Sequence, residues 1–171
     1  MIHYLSFYGF ALIISLIGQL GKNYQKLTWW LLLIVVVSFV GLRDGVGHDF
    51  ANYKKIYETG LIYDFNFGGF FFNYILIYLK SKNIDFGLFI FLSSAIYFYA
   101  AFNFIYKVSE NKFFATILFI LFPITFLSSI SGIRQGWSLA FIMMSTLYFF
   151  RGNLWLFIAF ALLSVAFHLT A

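Results

Sequence analysis

FGLFIFLSSAIYFYAAFNFIY, residues 86–106, contains no charged side chain. At a rise of ~1.5 Å per residue such a run covers roughly 30 Å as a helix, the thickness of a bilayer's hydrocarbon core. Comparable apolar runs flank it at residues 2–20, 27–42, 113–128, 131–150 and 153–171. Val35-Val36-Val37 would signal a strand in water, but in lipid the helix is the form that satisfies its own backbone. Composition points the same way. Of 171 residues, 63% are hydrophobic and 25% aromatic, 10% are charged, and the mean hydropathy is +0.90. A soluble domain carries about 25% charged residues, so a water-soluble globule is excluded. The absence of cysteine removes disulfides, thiolate nucleophiles and Cys-based metal sites. The net charge of +5 is scattered, with no basic run to mark a nucleic-acid partner. The expected fold is an all-α membrane protein: one polytopic helical bundle over residues 1–171, with about six spans and the lipid bilayer as its surroundings.

The connections carry further detail. Trp29-Trp30 opens the second run with rings suited to headgroup level. Residues 43–69 form the one long polar loop, expected on the external side. Within it the spacing predicts a short amphipathic helix over 49–59, with Asp49 as N-cap. Phe50, Tyr53 and Tyr57 share one face of that helix, and Lys54 and Glu58 are spaced i,i+4. Residues 70–79 are apolar but cover only about half a bilayer, which reads as an interfacial or re-entrant helix. If that segment does not cross, five Lys/Arg lie inside and six outside, and the positive-inside rule chooses no orientation. The last run stops at Ala171 without a charged flank, which reads as the N-terminal portion of a longer chain.

An ionisable group at membrane depth costs at least ~2.5–3.5 kcal/mol, so each one asks for a reason. Arg43 closes the second run, where a snorkelling arginine is the plain reading. Gly45 and Gly47 follow, and two glycines so close permit a tight turn that returns Asp49 over the end of the span. His48 beside Asp49 lacks a second ligand at metal spacing, and no cofactor is expected. Ser131 is placed to cap the run that follows, with Arg134 in its first turn. A cation there opposes the helix dipole. As part of an anion site it makes sense, because free N–H groups and a guanidinium fork serve one ligand; the plain alternative is an arginine reaching interfacial water. His168 lies deep in the last apolar run, with Ser164 one turn earlier. A neutral histidine bonded to a neighbouring helix and a proton-transfer or phosphate contact both fit it.

These places carry a resemblance. Leu42-Arg43-Asp44-Gly45-Val46-Gly47-His48-Asp49-Phe50, followed by Tyr53, resembles the signature loop of the EpsG family, Wzy-like bacterial membrane proteins of exopolysaccharide, capsule and O-antigen synthesis. Ile133-Arg134-Gln135-Gly136 resembles that family's second arginine motif, and Phe167-His168 with Thr170-Ala171 resembles its Phe-His motif. The blocks stand in the family's order and cover the chain from about residue 27 onward. There are departures. His48 stands where Thr is common, Phe67 occupies a position often held by Glu, and Trp137-Ser138 replaces Leu-Ala.

The resemblance implies a multi-pass protein of the bacterial inner membrane that polymerises polyprenyl-diphosphate-linked oligosaccharide repeat units at the outer leaflet. Other membrane proteins of polysaccharide synthesis are its further partners. On that reading Arg43 and Arg134 hold the diphosphate, Asp49 serves as base and His168 assists. Tyr53 and Gln135 contact sugar or prenyl groups. Growing charge on a leaving diphosphate suits guanidinium forks, and an acceptor hydroxyl needs a positioned base. The arrangement requires Arg43, Asp49, Arg134 and His168 at one face, which holds if residues 70–79 do not cross. A lipid-linked sugar flippase, or a non-catalytic subunit of a synthesis complex, are the alternatives.

Overall fold

Apolar periodicity becomes helix throughout the part of the chain that the computed structural model describes, residues 2–60, 67–122, 126, 130 and 132–167. Among the described residues there are eight helices and no strand: α1 (Ile2–Gln19), α2 (Lys22–Gly41), α3 (Phe50–Thr59), α4 (Phe67–Ser81), α5 (Phe86–Val108), α6 (Lys112–Leu121), α7 (Ile133–Phe150) and α8 (Leu154–Phe167). The all-α expectation holds. Among the described residues two helices have full crossing length and apolarity, Tyr24–Gly41 of α2 and the whole of α5, and the expected count of six spans is not confirmed. Helices α1, α6 and α8 are apolar but shorter. Large apolar side chains face outward, from Leu5, Phe10 and Ile34 to Trp155, which is 85% exposed. A soluble monomer does not tolerate so much contiguous apolar surface, whereas hydrocarbon does.

Helix directions follow from a few contacts. Phe7 of α1 stacks on Phe39 of α2 at 4.0 Å. Helices α2 and α5 run antiparallel: Trp29 meets Phe102 and Tyr106 at one end, and Gly41 meets Phe91 at the other. Helices α7 and α8 form an antiparallel hairpin turned at Gly152, whose φ of +71° suits glycine. Across that hairpin the Ser138 and Ser164 hydroxyls lie 2.8 Å apart, and Ser145 donates to the Phe157 carbonyl at 2.8 Å. Small hydroxyl residues of this kind let membrane helices approach closely while keeping their polar groups paired.

The one end that matters collects the end of α2, α3, both ends of α4 and the starts of α5 and α7. Phe71 of α4 packs on Phe167 at the described end of α8, 5.2 Å between ring centroids. From Ser81 the chain turns through Asn83 into α5, where the Asp85 carboxylate accepts from the Leu88 N–H at 3.0 Å as N-cap. Lys80 Nζ donates to the Glu58 carbonyl and the Tyr57 hydroxyl to that of Ile84, which ties α3 to the turn. Helix α4 is longer than the expected 70–79, yet its fifteen residues reach only roughly 22 Å.

Other boundaries differ from expectation as well. Helix α2 begins at Lys22 rather than residue 27. Helix α6 ends at Leu121 instead of running to 128. Pro123 forces the change: a proline disfavours helix in the residue before it, and Phe122 is extended at φ −76°, ψ 112°. At the start of α7 the N-cap position is Gly132, without a side-chain cap; Ser131, the expected cap, lies outside the described residues.

Gly41 is where α2 touches α5 backbone to backbone. A Cβ there would lie 3.0 Å from the Phe91 Cα and 2.9 Å from its ring. Gly41→Ala should therefore destabilise the detergent-solubilised protein by about 1–3 kcal/mol, the usual cost of overpacking. Thermal unfolding against the wild type reads it, and an unchanged midpoint would mean that α5 yields freely.

Candidate functional site

Helix α3 buries Phe50, Tyr53 and Ile56, the i, i+3, i+6 pattern of one helical face, and exposes Asn52, Lys54 and Lys55. Its C-terminus is closed by Gly60, left-handed at φ +71°, whose N–H donates to the Ile56 carbonyl at 2.9 Å. At its N-terminus Asp49 occupies the cap position but makes no side-chain cap, contrary to the sequence expectation. Its Oδ2 instead accepts a hydrogen bond from the Tyr53 hydroxyl, one turn on, at 3.1 Å. The carboxylate has two oxygens, and this bond engages one of them.

Tyr53 is 3% exposed, and its ring lies 4.9 Å from that of Phe72 on α4. The guanidinium carbon of Arg134 stands 6.0 Å from the Tyr53 ring centroid, at the limit of a cation–π contact. Burial pushes the Tyr53 hydroxyl pKa up to about 12; Asp49 adds to the rise, and Arg134 opposes it by charge and hydrogen bonding. At neutral pH the hydroxyl is therefore a fixed donor. Among the described residues no ion pair joins Asp49 to Arg134; the tyrosine bridges them. Arg134 Nε is buried and unpartnered. It sits in the first turn of α7, where the leading N–H groups have no intrahelical acceptors.

Asp49, Tyr53 and Arg134 line a cavity of about 390 Å³ together with Asn52, Lys55, Ile56 and Asn73. Two cations face one carboxylate there, and the balance of the rim favours an anion. Gln135 is exposed and folds back toward Gly132, outside this lining. His168 lies outside the described residues. Asn52, Lys55 and Asn73 were not singled out in the sequence. The first two lie three and six residues beyond Asp49 and share its helical side. Asn73 is the amide within the apolar run of α4, a position visible in the sequence whose weight depends on its burial in the fold.

Arg43 stands apart. It lines a different cavity, of about 770 Å³, on the opposite flank of α3, with Asp44, Lys54, Glu58, Asp85 and Phe91. Its guanidinium is committed to the backbone: Nη1 donates to Val40 O at 2.8 Å, Nη2 to Ile130 O at 3.1 Å and Nε to Val46 O at 3.2 Å. Burial lowers its pKa to about 10, still well above neutrality, so it remains a cation. The structure thus gathers Asp49, Tyr53 and Arg134 in one cavity and uses Arg43 to tie the segments that bear them.

A family model described as the EpsG family matches residues 26–171. The chain belongs to the EpsG family. No curated protein and no solved structure matches it. Membership makes this a polysaccharide-related membrane protein, and the motifs around Arg43, Asp49 and Arg134 all fall within the matched span.

Tyr53→Phe removes the donor to Asp49 without emptying the aromatic floor. A hydrogen bond to a charged group contributes about 1.5–3 kcal/mol, so any activity that uses Asp49 should fall at least tenfold. The raised pKa also has a sign in stability. The folded state holds the Tyr53 proton more tightly than the unfolded chain, whose tyrosine titrates near ~10. The contribution is whole below that pH and lost as pH rises through about 12. Denaturation between pH 10 and 12 should show a shallower loss in Tyr53→Phe than in the wild type; equal slopes would place the hydroxyl in water.

Proposed function

We propose that this EpsG-family chain polymerises polyprenyl-diphosphate-linked oligosaccharide repeat units by glycosyl transfer at the outer leaflet of the bacterial inner membrane. One observation carries the reading: Asp49, its hydrogen-bonded partner Tyr53 and Arg134, from two separate stretches of the chain, line one cavity at one end of the bundle. In the reaction the bond between the donor sugar C1 and the diphosphate oxygen breaks, and a bond from the acceptor hydroxyl oxygen to C1 forms. The electron pair leaves with the polyprenyl diphosphate, and the acceptor proton passes to Asp49. Arg134, with Lys55 and the free N–H groups of the first turn of α7, stabilises the growing negative charge. The Tyr53 hydroxyl holds one Asp49 oxygen, which directs the other toward the acceptor. Arg43 positions the loop that bears Asp49, and His168 stands in the proposal as an assisting group.

Cells that depend on this chain for polymer should, with Arg134→Ala, accumulate unpolymerised lipid-linked repeat units and lose long-chain product. Arg134→Lys should restore little, because an ammonium lacks the guanidinium fork. Normal polymer from either variant would defeat the reading. Asp49→Asn should lower turnover by about 10²-fold or more if the carboxylate is the base, whereas a flippase would tolerate it. The natural absence of cysteine makes the topology directly readable. A cysteine at exposed Asn52 should label with impermeant maleimide from outside intact cells. One at exposed Glu110, in the turn between α5 and α6, should label only after permeabilisation. The reverse pattern would put the cavity on the wrong side for this chemistry.

A further inference from the structure

Transfer between two lipid-linked saccharides needs two binding sites of different chemistry at one reacting centre. The donor brings its diphosphate there, an anion. The acceptor brings a sugar hydroxyl, while its own diphosphate stays at the opposite end of its glycan. Charge can therefore tell the two apart. The cavities on the two flanks of α3 differ in this respect. In the smaller one Arg134 and Lys55 face the single carboxylate of Asp49. In the larger one Asp44, Glu58 and Asp85 outnumber Arg43 and Lys54.

The groups of the larger cavity are open to a ligand. The Arg43 fork is spent on three backbone carbonyls, so exposed Lys54 is the cation left to meet one. Among the described residues the exposed Asp44 and Glu58 carboxylates have no hydrogen bond or ion pair, and Asp85 spends one oxygen on the Leu88 N–H. Such carboxylates oppose a diphosphate and accept charge-assisted hydrogen bonds from sugar hydroxyls. Apolar surface stands beside them: Leu88 is 48% exposed, and the rings of Tyr57 and Phe91 are half-buried. The Tyr57 hydroxyl donates to the Ile84 carbonyl, which fixes a ring that a pyranose face can pack against. At about 770 Å³ the cavity is nearly twice the size of the smaller one, at about 390 Å³, and has room for more of a glycan. The start of α3 is the edge that both share, because Asp49 lines the smaller cavity and Phe50, next in the chain, lines the larger.

We infer that the larger cavity is the acceptor-saccharide site. Its carboxylates hold hydroxyls of the acceptor glycan and turn diphosphates away, and the acceptor reaches Asp49 round the start of α3 while the donor diphosphate lies on Arg134. The inference rests on the glycosyl-transfer reading above and deepens it by giving the second substrate a place.

The experiment reads thermal stabilisation of the purified full-length protein by two probes. One is inorganic pyrophosphate; the other is the free oligosaccharide released by mild acid from lipid-linked repeat units of Arg134→Ala cells. Asp44→Asn combined with Glu58→Gln keeps the shape and removes two charges at exposed positions. With a ligand-free melting temperature equal to wild type, this variant should need roughly tenfold more oligosaccharide or above for half-maximal stabilisation. Asp44→Ala combined with Glu58→Ala should need more still. Pyrophosphate stabilisation should stay at the wild-type level in both and disappear in Arg134→Ala, which should still bind the oligosaccharide. Wild-type half-saturation in the folded double variants would overturn the inference, and so would a wild type that the oligosaccharide does not stabilise. Oligosaccharide binding lost in Arg134→Ala but kept in the double variants would put the acceptor in the smaller cavity. Stabilisation by calcium chloride that vanishes in the double variants, with oligosaccharide binding unchanged, would make the carboxylates a cation site and equally overturn it. If Arg134→Ala cells accumulate no repeat units, or pyrophosphate stabilises that variant as it does the wild type, the underlying transfer reading falls and takes the inference with it.

Discussion

A guanidinium that bonds three backbone carbonyls from separate segments holds this end of the molecule together. Arg43 donates to Val40 at the close of α2, to Val46 in the following loop and to Ile130 on the approach to α7. The Val40 contact satisfies one of the carbonyls that a helix C-terminus leaves open and sets a cation at the negative end of its dipole. The Val46 contact fixes the turn in which Gly45 and Gly47 adopt φ of +66° and +121°, and that turn delivers Asp49. The Ile130 contact draws in the chain four residues before Arg134. A planar donor fork does all three at once, which a lysine ammonium would not. Removed from water, such a cation is costly unless its N–H groups are engaged.

With that clamp in place, α3 becomes a partition. On one flank lie Asp49, Tyr53 and Arg134 with a positive balance; on the other lie Arg43 and Lys54 among three carboxylates. The same ten-residue helix supplies lining to both cavities because its buried face, Phe50, Tyr53 and Ile56, rests on the aromatic cluster of Phe72, Phe86 and Phe89. Edge-to-face and tilted ring contacts give a packed floor beneath the cavity, and polar groups line it above. The unfavourable position of Arg134 at a helix N-terminus fits the proposed reading, in which its charge and the N–H groups beside it would share an anionic target.

Much of this could be read along the chain. Arg43, Asp49, Arg134 and His168 drew notice because an ionisable residue at membrane depth needs a partner; Asp49 and Arg134 share one cavity with Tyr53, Arg43 lines another, and His168 lies outside the described residues. The fate of Asp49 was less legible. A capping bond to a backbone N–H two or three residues on and a bond to the Tyr53 hydroxyl four residues on ask for different orientations of the carboxylate, and the sequence does not say which prevails. Asn73 escaped notice because it carries no charge, and the cost of burying an amide shows only once burial is known. Pro123, by contrast, announced its helix break in the sequence, but the apolar run continued past it and masked the signal.

The sequence alone determined that this chain is all-helical and apolar on its outer surface. Both follow from composition and from the demand that a backbone in lipid satisfy itself, and neither depends on how helices meet. Its motifs also determined the family. Only the tertiary structure decided which arginine shares a cavity with Asp49, because that depends on where a long flexible side chain finds its acceptors. Arg43 found three carbonyls converging at the end of α2, whereas the Arg134 guanidinium stands over the Tyr53 ring with its Nε unpartnered. A residue's type and position state what it can bind; the direction in which it binds is set by neighbours tens of residues away, and those the chain does not reveal until it has folded.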